Sequence, residues 1–209
     1  LSTAKRFVLQ CQATINPRLA ARLNSLDGVG GTLLEAAKGE TLSDDFMVRI
    51  LSHIEKRENQ QSTNDDTRPA KTQSTHRKAL LNPWQPAPLA ALMERSERAL
   101  KWKNIGMGVS RLSLRQDGRE KLYLLKSKPG QKMPKHTHYG EEWTLVLQGG
   151  YHVGDTGFVR GDLHREDETC THQPIIDDDG EDCITLIASD GGVKFTNPLM
   201  RPLKPLLGI

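Results

Sequence analysis

The sequence lacks the features that identify a membrane protein or a disulfide-rich protein. No apolar run approaches the length that spans a bilayer, and no signal-peptide pattern follows Leu1. The three cysteines, Cys11, Cys170 and Cys183, are odd in number and show no CxxC spacing. Free thiols of this kind are typical of a reducing compartment. We therefore expect a cytoplasmic protein without membrane contact.

Aromatic residues and net charge are also scarce. Aromatic residues make up 5% of the chain, and the formal net charge is +3. This charge is too small to predict direct binding to nucleic acid on electrostatic grounds. A chain of 209 residues suits one or two domains. Residues 57–79 hold almost nothing apolar, so we predict a flexible linker between a helical domain at 1–56 and a second domain at 80–209.

The first domain has the apolar periodicity of helices. Apolar residues recur there at steps of three and four: Val8, Cys11, Ile15, Leu19, Leu23 and Leu26. Pro17 would break one continuous helix, so the pattern predicts two helices, with Asn16 as the N-cap of the second. We expect the glycines of 28–31 to end that helix. A further helix is predicted within 41–56, with Thr41 and Asp44 at capping-box spacing and Phe46, Ile50 and Ile54 along one face.

This helical segment is too short to build a sufficient core, since it covers fewer than 60 residues. We therefore expect it to pack on the second domain or on a partner protein. The second domain alternates apolar and polar residues, with a hairpin predicted at Asp117-Gly118 and further short strands in 143–149, 151–162 and 183–191. Short strands without a long helix indicate an antiparallel sandwich or barrel.

One cluster of residues has the chemistry of a metal site. His136 and His138 project to the same side of a strand, and Glu142 follows four residues later. His172, at a predicted strand end, is the best candidate for a fourth ligand. Three imidazoles and a carboxylate suit zinc, iron, nickel, copper or manganese, and the residue types alone leave the metal open.

The glycines around this cluster extend the pattern. The run Gly130-x5-His136-x-His138-x3-Glu142-x6-Gly149 resembles the first conserved motif of the cupin family position for position. Residues 157–172 resemble the second motif, with Gly157, Gly161 and His172 in place and Arg160 where a proline is usual. The resemblance covers roughly 105–190 and implies an α+β protein whose C-terminal domain is an antiparallel β jelly-roll barrel.

The whole chain resembles the ChrR-type cupin anti-sigma factors, also described as ChrR-like transcriptional regulators. The similar segments are 1–4, 26–35, 141–162, 180–195 and the apolar tail "PLKPLLGI". The resemblance implies a helical domain that binds a group IV (ECF) sigma factor. It also implies a cupin domain that governs release of the sigma factor in response to oxidants such as singlet oxygen or peroxides.

The chain departs from that family at the zinc site of the helical domain. The family's His-x3-Cys-x2-Cys positions align with Gln12, Asn16 and Leu19, which are poor zinc ligands. We therefore expect one divalent metal ion per chain, with zinc as the first expectation, held only by the cupin domain. The sequence leaves open whether the chain forms a homodimer.

Two other functions compete with the anti-sigma interpretation. A metal-dependent cupin dioxygenase needs an acid or base near the metal, and Glu141 is the only nearby candidate, although it should point to the opposite side of the strand. A binding module with a structural metal is the third hypothesis. We expect no catalytic residues. Two places are open for His152 and His164, behind the metal ligands or exposed to solvent, and exposure is favoured. Cys183 is predicted to be a buried apolar residue.

Overall fold

The computed structural model describes residues 1–39, 43, 45–62, 82–96 and 99–198. The fold is α+β, as the sequence predicts. The helices are α1 (Thr3–Ile15), α2 (Pro17–Ala36), α3 (Phe46–Ser62) and α4 (Ala87–Glu94). No helix in the described ranges is both long enough and apolar enough to cross a bilayer.

Eleven strands follow the helices. They are β1 (Lys103–Gly106), β2 (Val109–Asp117), β3 (Glu120–Ser127), β4 (His136–His138), β5 (Glu142–Gln148), β6 (Gly150–Val153), β7 (Thr156–Val159), β8 (Leu163–Glu166), β9 (Ile175–Ile176), β10 (Cys183–Ser189) and β11 (Val193–Phe195). They form three antiparallel sheets, ordered β1-β2-β3-β10-β5-β8, β7-β6-β9 and β11-β4. The hairpin predicted at Asp117-Gly118 is confirmed, with Gly118 at φ 57°.

The predicted break between the first two helices is also confirmed. The Asn16 side-chain oxygen accepts a hydrogen bond from the Leu19 N–H at 3.1 Å, which caps α2. The predicted end of α2 at 28–31 is wrong, because the helix continues to Ala36. None of these glycines takes a positive φ, so each is accommodated at the usual cost of glycine in a helix. The proposed capping residues Thr41 and Asp44 lie outside the described residues.

Chain contacts divide the molecule into two units, Leu1–Asn24 with Leu81–Ile209, and Ser25–Leu80. Helix α1 therefore belongs with the strands. Most of the boundary predicted at 57–79 lies outside the described residues, although α3 extends to Ser62. The three-part domain division stays a prediction.

The main core lies between one face of the six-stranded sheet and helices α1 and α4. We call these residues the outer cluster: Ala4, Val8, Cys11, Leu89, Leu112, Leu122, Leu124, Trp143, Leu145, Leu147, Ile184, Leu186 and Ala188. Strand alternation turns every second side chain of β3, β5 and β10 toward the helices. The sequence predicts that the first helices pack on another surface. For α1, that surface is this sheet.

Polar contacts fix α1 at both ends. The Ala4 N–H donates to Glu120 Oε1 at 2.8 Å, and Gln12 Nε2 donates to the Gly161 carbonyl at 3.1 Å. The buried Lys5 ammonium donates to Glu141 Oε2 at 2.7 Å and also pairs with Asp190. Because burial leaves this ammonium little water, the two carboxylates replace its hydration.

Limited trypsin digestion tests the predicted linker. We expect the first cuts within residues 57–79, which can bury almost nothing, and a stable fragment that begins near residue 80. Because α1 packs on the sheet, the fragment that carries α1 should co-elute with the larger one on native gel filtration. First cuts within residues 130–190 would contradict the predicted boundary.

Candidate metal centre

Three of the four predicted ligands come together. His136 and His138 project from the same side of β4, and paired backbone hydrogen bonds of 3.0 and 2.9 Å hold His172 beside His136. His172 Nε2 lies 2.9 Å from His136 Nε2 and 3.1 Å from His138 Nε2. All three residues are buried. The predicted convergence of the imidazoles is therefore present in the structure.

For two of these histidines, the hydrogen-bond partner of Nδ1, the ring nitrogen that faces away from the other imidazoles, defines the tautomer. His136 Nδ1 lies 2.7 Å from the Pro134 carbonyl, which only accepts, so Nδ1 carries the proton. His172 Nδ1 lies 3.1 Å from Glu166 Oε1 and is assigned its proton in the same way. Burial lowers the pKa of both imidazoles to about 4, so both are neutral at pH 7. Each therefore turns an unprotonated Nε2 toward the other.

Two lone pairs that face each other at 2.9 Å repel unless a cation lies between them. In a tetrahedral zinc site with Zn–N bonds near 2.0 Å, ligand nitrogens stand about 3.3 Å apart. The observed separations of 2.9 and 3.1 Å are close to that spacing. The three histidines thus form a set that can bind a metal ion.

Glu142 lies beside the three imidazoles but does not point at their Nε2 atoms. Its Oε2 accepts a hydrogen bond from the Tyr123 hydroxyl at 3.1 Å and lies 3.6 Å from His138 Nδ1, too far for a good hydrogen bond. Burial raises the pKa of this carboxyl. A nearby cation would favour its ionised form. The role of Glu142 as the fourth ligand stays a prediction.

Two further residues lie next to the imidazoles: His164, for which the sequence left a place behind the metal ligands open, and Glu166, which was not among the sequence candidates. Glu166 Oε1 lies 3.1 Å from His172 Nδ1 and 2.6 Å from His164 Nε2, and His164 Nδ1 lies 2.9 Å from the Tyr151 hydroxyl oxygen. The prediction that His164 is exposed is wrong, because its ring also stacks on Phe158. A carboxylate behind a ligating histidine fixes the orientation and tautomer of the ring. The available signal was the spacing His164-x-Glu166, which puts both side chains on one side of β8.

The other candidate residues lie away from the imidazoles. Glu141 points to the opposite side from Glu142, as expected, and pairs with Lys5. Cys183 is buried, which confirms its prediction as an apolar residue, and burial raises the pKa of its thiol to about 12. Cys170 is exposed. His152 is partly exposed and contacts Asp177.

Comparison with known proteins places these observations in a family. Residues 94–189 match the family model described as the ChrR cupin-like domain. The anti-sigma-E factor ChrR of Cereibacter sphaeroides is 31% identical over 209 residues, which is all of this chain and 91% of that protein. The chain belongs to the ChrR family. The crystal structure of Rhodobacter sphaeroides SigE in complex with the anti-sigma ChrR matches with 30% identity and a TM-score of 0.66, and covers 90% of each chain.

Two of the positions for which the sequence predicts a lost zinc site, Gln12 and Asn16, make other contacts in the structure. Gln12 donates to the Gly161 carbonyl, and Asn16 caps α2 by accepting from Leu19. These contacts join α1 to the barrel and start the next helix. The count of one metal ion for this ChrR-family chain stays a prediction.

The two depressed histidine pKa values predict how the metal-free protein responds to acid. The unfolded chain binds protons below about pH 6.5, whereas folded His136 and His172 stay neutral until about pH 4. Stability should therefore fall as the pH drops through this window, by at most about 2.7 kcal/mol per pH unit for two histidines. Urea denaturation across the window measures this. In His172→Gln, the free energy of unfolding should fall less steeply as the pH drops. A wild-type free energy of unfolding that does not change with pH in this window would contradict the prediction.

Proposed function

We propose that this chain is a cytoplasmic anti-sigma factor that binds a group IV sigma factor through its helical segment and responds to oxidative stress through a metal in the barrel. The end-to-end similarity to the anti-sigma-E factor ChrR carries this proposal, because it covers the helices as well as the barrel. The matching structure contains ChrR bound to SigE. The sigma factor is the expected partner, and no direct contact with nucleic acid is proposed.

The helical segment offers a surface that suits a protein partner. Helix α2 exposes Leu26, Val29 and Leu33, which are 56–67% exposed and spaced at three and four residues. Helix α3 exposes a similar set at the same kind of spacing: Met47, Ile50, Leu51 and Ile54. Contiguous apolar side chains of this kind mark protein interaction sites. We propose that these two helix faces contact the sigma factor.

Charge introduced on these faces tests the proposal. Leu26→Glu/Leu33→Glu should weaken sigma-factor binding by at least about 100-fold, the size expected when anchor residues of an interface are lost. Both positions are exposed, so the fold should survive. Binding to a purified group IV sigma factor from the same organism, and inhibition of transcription from its promoter, are the measurements. Val159→Glu is the matched control, because Val159 is also exposed but lies on the barrel.

We propose one zinc ion per chain, held by His136, His138 and His172, with Glu142 as the fourth ligand. The facing lone pairs of the imidazoles and the buried carboxylate support this set. When bound, the ion supplies the positive charge that holds the three rings in one arrangement. Glu166 then keeps the Nδ1 proton of His172 in place, so that Nε2 stays free as a ligand.

Strand β5 provides a direct connection between this site and α1. Glu142 faces the imidazoles, Trp143 faces the outer cluster beneath α1, and the preceding Glu141 pairs with Lys5 of α1. A shift of β5 that accompanies loss of the metal would therefore disturb the contacts of α1. We propose this as the route from the barrel to the helices.

A cupin dioxygenase is the second candidate, favoured only by the cavity beside the imidazoles. It is less supported, because Glu141, the predicted acid or base, is engaged with Lys5 on the other side of the sheet. Oxygen uptake with small diketones or flavonols, measured on metal-loaded protein, separates the two functions. If the chain is an anti-sigma factor, we expect no oxygen uptake with any of these compounds.

A further inference from the structure

The break between α1 and α2 is held on the barrel by two side-chain amides. Gln12 Nε2 and Asn16 Nδ2 donate to the Gly161 carbonyl, at 3.1 Å and a weaker 3.5 Å. Gly161 lies in the β7–β8 turn, residues 160–162, at φ 94°, a conformation that favours glycine. The Asn16 side chain also caps α2 through its oxygen, which accepts from the Leu19 N–H. One carboxamide therefore joins a turn of the barrel to the first turn of α2.

The same turn also holds the point where the chain returns to the barrel. The Arg160 guanidinium donates to the Pro83 carbonyl at 3.2 Å and to the Leu147 carbonyl of β5. Arg160 stands where the second cupin motif usually has a proline, which has no side-chain donor. Pro83 precedes α4, whose Leu89 lies in the outer cluster. The β7–β8 turn thus contacts the chain on both sides of residues 17–82, which include α2 and α3.

Backbone hydrogen bonds fix the turn to the six-stranded sheet. The Gly161 N–H donates to the Val146 carbonyl at 2.9 Å, and the Val146 N–H donates to the Asp162 carbonyl at 3.1 Å. Val146 is fully buried in β5. Because a buried strand holds the turn, the Gly161 carbonyl is an acceptor at a fixed position of the barrel. The amides of Gln12 and Asn16 can therefore dock on it as on a preformed site.

We infer that the β7–β8 turn is a docking site for the α1–α2 junction, residues 12–19, and that tight sigma-factor binding requires the docked junction. This inference rests on the proposed function, in which α2 contacts the sigma factor. Docking holds the start of α2 in one conformation before the partner arrives, which lowers the ordering cost of binding. The apparent affinity falls with the fraction of molecules that are docked. The barrel thus regulates the helices at the end of α1 opposite to Lys5.

Carboxylates in place of the two amides test the docking without changing side-chain size. In Gln12→Glu/Asn16→Asp, neither new carboxylate can donate to the Gly161 carbonyl, yet position 16 keeps an oxygen that can cap α2. We expect the buried Cys11 of α1 to react with a thiol reagent at least about fivefold faster than in the wild type, because each lost hydrogen bond shifts local opening by roughly two- to tenfold. Gln10→Glu makes the same change on the exposed side of α1 and should leave the rate unchanged.

A second buried thiol distinguishes local undocking from unfolding. Cys183 lies in β10, in the middle of the six-stranded sheet, and its labelling rate should stay at the wild-type value. The zinc content should also stay unchanged. Gln12→Glu alone repeats the comparison in case the double variant does not fold. Equal acceleration at Cys11 and Cys183 in a folded variant, or an unchanged Cys11 rate, would overturn the inference.

The affinity for a purified group IV sigma factor tests the regulatory part. Gln12→Glu/Asn16→Asp should weaken binding by at least about fivefold, in step with the loss of docked molecules. Arg160→Met removes the guanidinium donors and should weaken binding by about twofold or more. Arg119→Met makes the same change at an exposed arginine of the β2–β3 hairpin and should bind like the wild type.

The two sets of measurements separate this inference from the proposed function. Unchanged sigma-factor affinity in a variant whose Cys11 labelling is accelerated would overturn the regulatory role of the turn and leave the anti-sigma function intact. A wild-type chain that binds no sigma factor, with accelerated Cys11 labelling in the variant, would refute the anti-sigma function and support the docking site.

Discussion

Replacing His136 and His138 by alanine is expected to abolish metal binding, from one equivalent per chain to none. Of the proposed set the variant leaves only His172. The second group that includes His172, with His164 and Glu166, is already held by its own contacts of 2.6 and 3.1 Å. The melting temperature in excess zinc should fall to that of the metal-free chain, because bound metal stabilises only the folded state. Elemental analysis and thermal unfolding measure both effects.

A matched control sharpens this experiment. His152→Ala removes a partly exposed histidine that contacts Asp177 and should retain one metal ion. Two equivalents in the wild type, with one retained after the double substitution and also after a further Glu166→Gln change, would mean that a second site survives in the helical segment. The alignment of Gln12, Asn16 and Leu19 with the missing ligands would then be wrong.

Val8→Asp is expected to detach α1 from the sheet or to unfold the unit. Val8 is fully buried in the outer cluster, and an unpaired carboxylate there should cost about 3 kcal/mol or more. Gln10→Asp introduces the same charge on the exposed side of α1 and should change stability by less than about 0.5 kcal/mol. Urea denaturation compares the two variants.

Thiol labelling reports the position of α1 directly. Cys11 and Cys183 are buried, and burial raises the pKa of each thiol to about 12, whereas Cys170 is exposed. The native chain should therefore react rapidly at Cys170 alone. In Val8→Asp, Cys11 should also react. Labelling of Cys170 alone in this variant, with unchanged stability, would contradict the packing of α1 on the sheet.

Local signals in the sequence predicted the elements that local chemistry controls. Asn16-Pro17 supplies a helix cap and a fixed φ, and Asp117-Gly118 supplies a tight turn, so both boundaries were predictable. The convergence of His136 and His138 follows from strand alternation. His172 was a candidate from its residue type and its place at a predicted strand end, and the family resemblance supported it, because a contact with His136 across 36 residues has no local signal.

The features that escaped prediction depend on long-range pairing or on context. The glycines at 28–31 indicated a helix end, but all of them adopt helical geometry and α2 continues past them. The free-energy cost of a glycine inside a helix is small enough to allow this. His164 and Glu166 lie beside the three imidazoles only because β8 pairs with β5, a register that the local pattern does not encode. The apolar face of α1 likewise did not reveal which surface would cover it.

In the proposed function, a metal ion bound in the barrel controls whether the sigma factor stays bound. The most direct test measures the fraction of sigma factor still bound after a complex of sigma factor with zinc-loaded chain is exposed to singlet oxygen or a peroxide. We expect the wild-type complex to dissociate and the His136→Ala/His138→Ala complex to lose this response. Equal release from both complexes, or no release from the wild type, would contradict it.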